Sequence, residues 1–223
     1  MEMSLYIDKY KQIRYNLFKW RYELDVAHKV VLALSFACLT GLLAQVRFYL
    51  PWTPVPITGQ TFAVLLSAII LGRWGGISQF LYAGIGAAGV PWFAGWKGGI
   101  GVITGPTGGY IIGFIIASFF LGYFVDKYIH SMSFLSIFGL MLFANFVLIY
   151  GPGLLQLYIW LSFVKGLSLS FRELLIMGAI PFIVGDMTKV VTAAAITKAI
   201  TPKRAYNGEM DTDKWESWRS YHR

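Results

Sequence analysis

Two ionisable residues in the last apolar stretch of the chain carry its clearest chemical signal. Asp186 and Lys189 lie three positions apart, so they share one face if this stretch is helical. An ionisable side chain inside a membrane segment costs about 2.5–3.5 kcal/mol by insertion scales, so it normally faces a cavity or a partner. A carboxylate acceptor beside an ammonium donor suits a small ligand with both N–H and C=O groups, such as an amide, a urea or a lactam. In the alternative interpretation, the pair only caps the helix and neutralises its dipole.

A third candidate is Lys97, the single charged residue in the glycine-rich segment 91–109. Aromatic residues surround it in the sequence, namely Trp92, Phe93 and Trp96. An ammonium group in such a loop can bind the carboxylate of a ligand. The alternative is a solvated lysine that points away from the protein.

Small residues recur at four-residue spacing along the first apolar span. Ala33, Ala37 and Gly41 fall on one helical face, where they let another helix approach closely. This face is predicted to dock a partner membrane protein. Close packing within the same bundle is the alternative.

Motifs typical of enzymes and of nucleotide-binding proteins are absent or misplaced. Residues 84–89 match the dinucleotide pattern GxGxxG, but they lie in an apolar span and no acidic residue follows until Asp126. The sequence contains neither HExxH nor GxSxG, and its single Cys38 has no intrachain partner. We therefore predict no catalytic residues, no metal site and no cofactor. The net charge of +8 fits basic loops beside membrane spans and does not predict nucleic-acid binding.

The elements that position these residues are predicted to be membrane helices. Of the 223 residues, 57% are apolar and 13% are charged, whereas about 25% are charged in an ordinary soluble domain. The charges concentrate at the two ends, and long uncharged stretches such as 98–125 lie between them. The composition thus indicates a polytopic membrane protein and excludes a soluble enzyme.

We predict an all-α polytopic membrane protein with six transmembrane helices and outward-facing binding loops. The predicted spans are 27–46, 60–71, 77–89, 110–127, a fifth from 134 to at least 150, and 185–199. The segment 154–163 either continues the fifth span or is re-entrant. Residues 1–26 form a polar basic segment, 27–200 the membrane domain and 201–223 a charged tail. The segment 1–25 lacks the features of a cleaved signal peptide.

Lysine and arginine in the short loops favour both termini in the cytoplasm, because cytoplasmic loops carry an excess of these residues. The proline-rich loop 47–58, the glycine-rich loop and the loop before the last helix then face outward together. These three loops are predicted to build one site.

Three segments resemble the BioY family, the biotin-binding S components of energy-coupling-factor (ECF) transporters. They are Thr53-Pro54-Val55-Pro56-Ile57-Thr58-Gly59-Gln60-Thr61, the stretch from Gly89-Val90-Pro91-Trp92-Phe93-Ala94-Gly95 through Gly105-Pro106-Thr107-Gly108-Gly109-Tyr110, and Pro181-Phe182-Ile183-Val184-Gly185-Asp186-Met187-Thr188-Lys189. The resemblance covers about residues 28–200, and together the segments are highly specific.

The resemblance implies a six-helix protein of the plasma membrane of a prokaryote that captures biotin from outside. It implies a transmembrane T component and two ABC-type ATPases as partners, besides membrane lipid, and docking through Ala33 and Ala37. It also implies that Asp186 accepts a ureido N–H of biotin and that Lys189 donates to the ureido oxygen. We assign the apolar ring of biotin to Phe93 or Tyr82.

Three alternatives remain at this stage. The first is an S component for another vitamin, and the second is an intramembrane enzyme that uses Asp186 as acid and base. The third is a structural subunit without a ligand, in which the Asp186–Lys189 pair is only a cap.

Overall fold

A computed structural model of the protein describes residues 2–128 and 133–202, and its secondary structure is almost entirely helical. The predicted charged tail therefore lies outside the described residues from position 203 onward. The elements, in chain order, are α1 (Glu2–Glu23), α2 (Val26–Gln45), β1 (Arg47–Phe48), β2 (Ile57–Thr58), α3 (Gln60–Leu71), α4 (Arg73–Ala87), α5 (Ile100–Ile103), α6 (Gly108–Tyr128), α7 (Phe134–Phe143), a π-helical segment (Ala144–Ile149), α8 (Tyr150–Ile159), a second π-helical segment (Trp160–Val164), α9 (Phe171–Gly178), a 3₁₀ turn (Ile180–Phe182) and α10 (Ile183–Ile200).

The helices confirm a multi-pass membrane protein. Among the described residues, four helices are long and apolar enough to cross a membrane, namely Val26–Gln45, Gly108–Tyr128, Phe134–Val164 and Phe171–Ile200. The predicted second and third spans are the shorter helices α3 and α4, of 12 and 15 residues. At 1.5 Å per residue these reach about 18 Å and 22 Å, less than the roughly 30 Å hydrocarbon core of a bilayer. Length alone therefore supports four spans and not the predicted six.

The segment 154–163 belongs to one continuous helix, Phe134–Val164, so it continues the fifth span. This helix contains Pro152, whose ring disfavours a regular α-helix because it clashes with the carbonyl four residues earlier. The π-helical segment Ala144–Ile149 lies immediately upstream of α8, where it changes the hydrogen-bonding pattern. The helix also packs closely on α6: a Cβ at Gly113 would lie 2.6 Å from the Cα of Ile149.

Buried polar side chains join α2, α3, α4 and α6. Gln79 on α4 donates through Nε2 to Thr40 Oγ1 on α2 and to Ser67 Oγ on α3, both at 3.2 Å. Ser118 on α6 donates through Oγ to the carbonyl of Val64 on α3 at 3.2 Å. Hydrogen bonds between membrane helices, together with close packing, hold such bundles together.

The small residues of α2 lie inside this bundle. Ala33 and Ala37 are fully buried, and a Cβ at Gly41 would lie 3.0 Å from the Cβ of Trp92. A partner helix cannot reach these residues in this structure, because the chain itself covers them. The predicted docking face is thus corrected to the alternative, close packing within the bundle.

Candidate ligand-binding site

A cavity of about 200 Å³ lies where the amino-terminal ends of α3 and α6 meet the first turns of α10. Loops that include residues 54–58, 93–97 and 105–107 cover it. The antiparallel pair β1–β2 anchors the first loop, with Arg47 opposite Thr58 and Phe48 opposite Ile57. Gln156 anchors the glycine-rich loop, since its Nε2 donates to the carbonyls of Ile103 and Gly105 at 2.6 and 2.8 Å. Two of the three loops that were predicted to build one site, the proline-rich loop and the glycine-rich loop, therefore meet at this cavity.

Asp186 is the most highly connected residue of the cavity. Its carboxylate accepts four hydrogen bonds, from Lys189 Nζ at 2.7 Å, Tyr150 Oη at 2.7 Å, Asn145 Nδ2 at 3.1 Å and Thr61 Oγ1 at 3.2 Å. A carboxylate has about four lone-pair positions, so these donors occupy all of them. Such complete hydrogen bonding offsets the cost of burying a polar side chain that is only 4% exposed.

Lys189 forms the ion pair that its spacing from Asp186 predicts. The two side chains lie one helical turn apart on α10, and they are 19% and 4% exposed. The ammonium also donates to the carbonyl of Thr58 at 2.6 Å. An ammonium group has three N–H donors, and these two partners leave one for a ligand.

A tight turn brings Phe93 and Lys97 to the cavity. The two residues pair through their backbones, with Phe93 N 2.9 Å from Lys97 O and Lys97 N 3.3 Å from Phe93 O. Gly95 permits this turn, since its φ is +85° and a Cβ there would lie 2.9 Å from the hydroxyl of Tyr49. Gln45, at the end of α2, donates through Nε2 to the carbonyls of Trp92 and Phe93 at 3.2 and 3.1 Å.

Among the residues that the structure describes, the charges of the cavity wall are one acid and two bases, Asp186, Lys189 and Lys97. The first two form a pair, whereas no hydrogen-bond or ion-pair partner of the Lys97 ammonium is found within residues 2–128 and 133–202. The site therefore carries one uncompensated positive charge. Its other walls include apolar and aromatic side chains such as Ile111, Phe114 and Phe182.

The structure brings four of the five predicted ligand-binding residues to one cavity: Asp186, Lys189, Lys97 and Phe93. Tyr82 is different, because it is fully buried and does not line the cavity. It packs edge-on against Phe93 at 5.3 Å between ring centres, and its hydroxyl accepts a hydrogen bond from Gln60 Nε2 at 2.7 Å. Tyr82 thus lies behind the cavity wall.

Sequence reasoning missed three partners of Asp186: Thr61, Asn145 and Tyr150. They precede it by 125, 41 and 36 positions, so no local periodicity relates them to the carboxylate. One signal was available for Asn145, since an amide within a long apolar span normally has a partner in the bundle.

Comparison with solved structures identifies the fold. The crystal structure of the S-component for biotin from an ECF-type ABC transporter superposes with a TM-score of 0.67 at 23% sequence identity. The superposition covers 78% of this chain and 93% of the other. This similarity shows that the chain has the S-component fold.

The sequence then identifies the family. The model of the BioY family matches residues 13–206, and the chain belongs to this family. A protein of Methanothermobacter thermautotrophicus described as "Probable biotin transporter BioY" is 53% identical over 155 residues, which are 69% of this chain and 99% of that protein. "Biotin transporter BioY" of Thermotoga maritima is 36% identical over 148 residues, which are 66% of this chain and 81% of that protein.

Proposed function

We propose that the protein is the biotin-binding S component of an ECF-type uptake transporter, which captures biotin and releases it chemically unchanged. In this function it works with a transmembrane T component and two ABC-type ATPases that supply the energy. The descriptions of the relatives and of the superposed structure support this proposal. The observation that carries it is the chemistry of the cavity wall, which complements the three parts of biotin.

The ureido ring of biotin fits the end of the cavity that holds the ion pair. Lys189 has one N–H beyond its two protein partners, and this group donates to the ureido oxygen. The ureido N–H groups need acceptors close to Asp186. Because the carboxylate already has four donors, a ureido N–H either replaces the longest of them, Thr61, or binds the hydroxyl oxygen of Thr61 or Tyr150. Asp186 contributes in both cases, directly or by polarising the hydroxyl.

The remaining parts of biotin fit the remaining walls. Its apolar ring packs against Phe93, which Tyr82 supports from behind. Its carboxylate pairs with Lys97, the cation without a protein partner among the residues described. The cavity charge of +1, from two lysines and one aspartate, then becomes neutral on binding.

We further propose that six helices cross the membrane: α2, α3, α4, α6, the continuous helix 134–164 and the segment 171–200. Because successive spans alternate in direction, six spans put both termini on the same side of the membrane. We assign this side to the cytoplasm of a prokaryote and the cavity to the outer side. The distribution of lysine and arginine supports this orientation. The T component then needs a surface other than the buried face of Ala33, Ala37 and Gly41.

The experiment measures binding of biotin and of biotin methyl ester to the purified protein in detergent. Wild-type protein should bind biotin saturably and the ester more weakly. Lys97→Met should weaken biotin about fivefold, because an exposed charge pair contributes about 1 kcal/mol, and should leave the ester unchanged. Arg172→Met is the matched control, since Arg172 is an exposed cation that does not line the cavity.

Each outcome decides one part of the proposal. The absence of saturable biotin binding by the wild type would refute the function. If another vitamin from a test panel displaces biotin, the protein has a different specificity on the same fold. Equal losses for acid and ester in Lys97→Met would refute the assignment of Lys97 to the carboxylate. Mass spectrometry of the released ligand should show biotin unchanged; a product would indicate an enzyme instead.

A further inference from the structure

A second cavity, of about 580 Å³, lies far from the ligand-binding site. Its wall combines residues of α1, α2, α3, α4 and α6. Among the described residues, four cations line it, Arg21, Lys29, Arg73 and Lys127, together with one acid, Asp126. These five residues give the wall a net charge of +3. None of them belongs to the ligand-binding site.

The contacts of α1 show where this cavity lies. Arg21 donates through Nη1 to the carbonyl of Ile70 at 2.8 Å, in the last turn of α3. Tyr10 donates through its hydroxyl to the carbonyl of Ala199, in the last turn of α10. Both helices run away from the ligand-binding site, so α1 lies across the opposite end of the bundle. The second cavity is therefore at the level of the membrane surface on that side.

In the part of the wall that the structure describes, one carboxylate offsets these four cations. Asp126 lies 3.3 Å from Arg21 Nη2 and 3.7 Å from Arg73 Nε, and it accepts a hydrogen bond from Arg73 N at 3.0 Å. The two lysines contact neutral groups instead. Lys29 donates to the carbonyl of Tyr22 at 2.9 Å, and Lys127 Nζ lies 5.7 Å from the ring centre of Tyr123. Carbonyl and ring contacts orient an ammonium group without cancelling its charge.

Apolar side chains complete the wall beside these cations. They are Leu32 of α2, Leu71 of α3 and Trp74 of α4, of which Leu71 is buried and the other two are half-buried. A ligand that fits must therefore carry a negative group at the membrane surface and an apolar part that extends into the bilayer. A free phosphate ion meets only the first requirement.

We propose that this cavity binds the phosphate headgroup of an anionic membrane phospholipid. The guanidinium of Arg73, 61% exposed, and the ammonium groups of Lys29 and Lys127 contact the phosphate. The acyl chains lie along Leu32 and Trp74. Since Arg21 and Tyr22 belong to α1, a bound lipid also joins α1 to the membrane helices. Basic pockets between membrane helices are a general way of recognising such headgroups.

The test titrates the purified, detergent-solubilised protein with phospholipid and counts bound lipids by native mass spectrometry. Phosphatidylglycerol should bind as one tightly retained molecule, whereas phosphatidylcholine and glycerol phosphate should bind far more weakly. The double variant Lys29→Gln/Lys127→Gln should weaken phosphatidylglycerol about thirtyfold. This figure follows from about 1 kcal/mol per cation and about 1.4 kcal/mol per tenfold change. Both lysines contact neutral groups, so the variant leaves the Arg21–Asp126 pair intact.

The matched control is Lys165→Gln/Arg172→Gln, which removes two exposed cations outside this cavity. Its affinity for phosphatidylglycerol should equal that of the wild type. Equal affinity of wild type and Lys29→Gln/Lys127→Gln would overturn the proposal. So would equal losses in the control, which would indicate a general effect of net charge. Glycerol phosphate binding as tightly as phosphatidylglycerol would show that the occupant is a soluble phosphate.

Discussion

The buried ion pair of α10 allows a stringent prediction, since stability and binding should respond differently to its removal. Asp186→Asn keeps the shape of the side chain but replaces one acceptor oxygen by an NH₂ donor. Two of the four hydrogen bonds to the carboxylate then lose their acceptor. Lys189 keeps its charge but loses its anionic partner, and it retains the carbonyl of Thr58 as an acceptor.

The expected loss of stability follows from these contacts. Hydrogen bonds to a charged group contribute about 1.5–3 kcal/mol each, and removal of one partner of a buried ion pair costs about 3–5 kcal/mol. The Lys189 side chain is 19% exposed and gains some solvation, so we expect about 3 kcal/mol. For a protein of this size, the unfolding temperature should fall by about 6–12 °C. Biotin affinity should fall at least tenfold.

The double variant Asp186→Asn/Lys189→Gln separates the two effects. It leaves no unpaired charge in the bundle, so it should recover at least half of the lost stability. It should not recover biotin binding, because the ligand-facing ammonium is gone. Thermal unfolding and biotin titration of the same detergent-solubilised samples measure both quantities.

An exposed ion pair with the same spacing provides the control. Asp8 and Lys11 lie 3.1 Å apart on α1, with side chains 69% and 64% exposed. Asp8→Asn should change stability by less than about 0.5 kcal/mol. The single variant Lys189→Gln completes the comparison. If its loss of stability and that of Asp186→Asn simply add in the double variant, the pair is not energetically coupled and our reasoning fails.

Three further predictions concern packing and the site loops. Gly113→Val should abolish stable folding, because its Cβ would lie 2.6 Å from the Cα of Ile149. Gly139→Ala meets open space and should be tolerated. The two variants are compared by their monodispersity in size-exclusion chromatography. Ala37→Leu should lower the unfolding temperature, since overpacking costs about 1–3 kcal/mol, and equal stability of Ala37→Leu and wild type would contradict the buried position. Gln45→Ala should weaken biotin binding more than it lowers stability, because it releases the loop that holds Phe93 and Lys97; unchanged affinity in a biotin titration would contradict this role.

The class of protein could be predicted from the sequence because that inference depends on local composition. A bilayer requires runs of apolar residues, and such runs are visible without knowledge of their neighbours. The spans 27–46 and 110–127 correspond to α2 and α6 within two residues at either end. The shared face of Asp186 and Lys189 also follows from local geometry, since residues three apart in a helix are neighbours.

The resemblance of three short segments to the BioY family also came from the sequence, and comparison with known proteins confirmed it. The prediction of six spans was not confirmed in the same way. Helices α3 and α4 are too short for length alone to decide whether they cross.

Only the tertiary structure decided which way each helix faces and what meets Asp186. The periodicity of Ala33, Ala37 and Gly41 predicts a close contact, but it contains no information about whether the partner is another protein or the same bundle. The structure shows the same bundle. Likewise, the carboxylate of Asp186 requires donors, yet these come from three other parts of the chain. Sequence patterns report contacts one helical turn apart, whereas contacts between distant segments depend on how all the helices pack together.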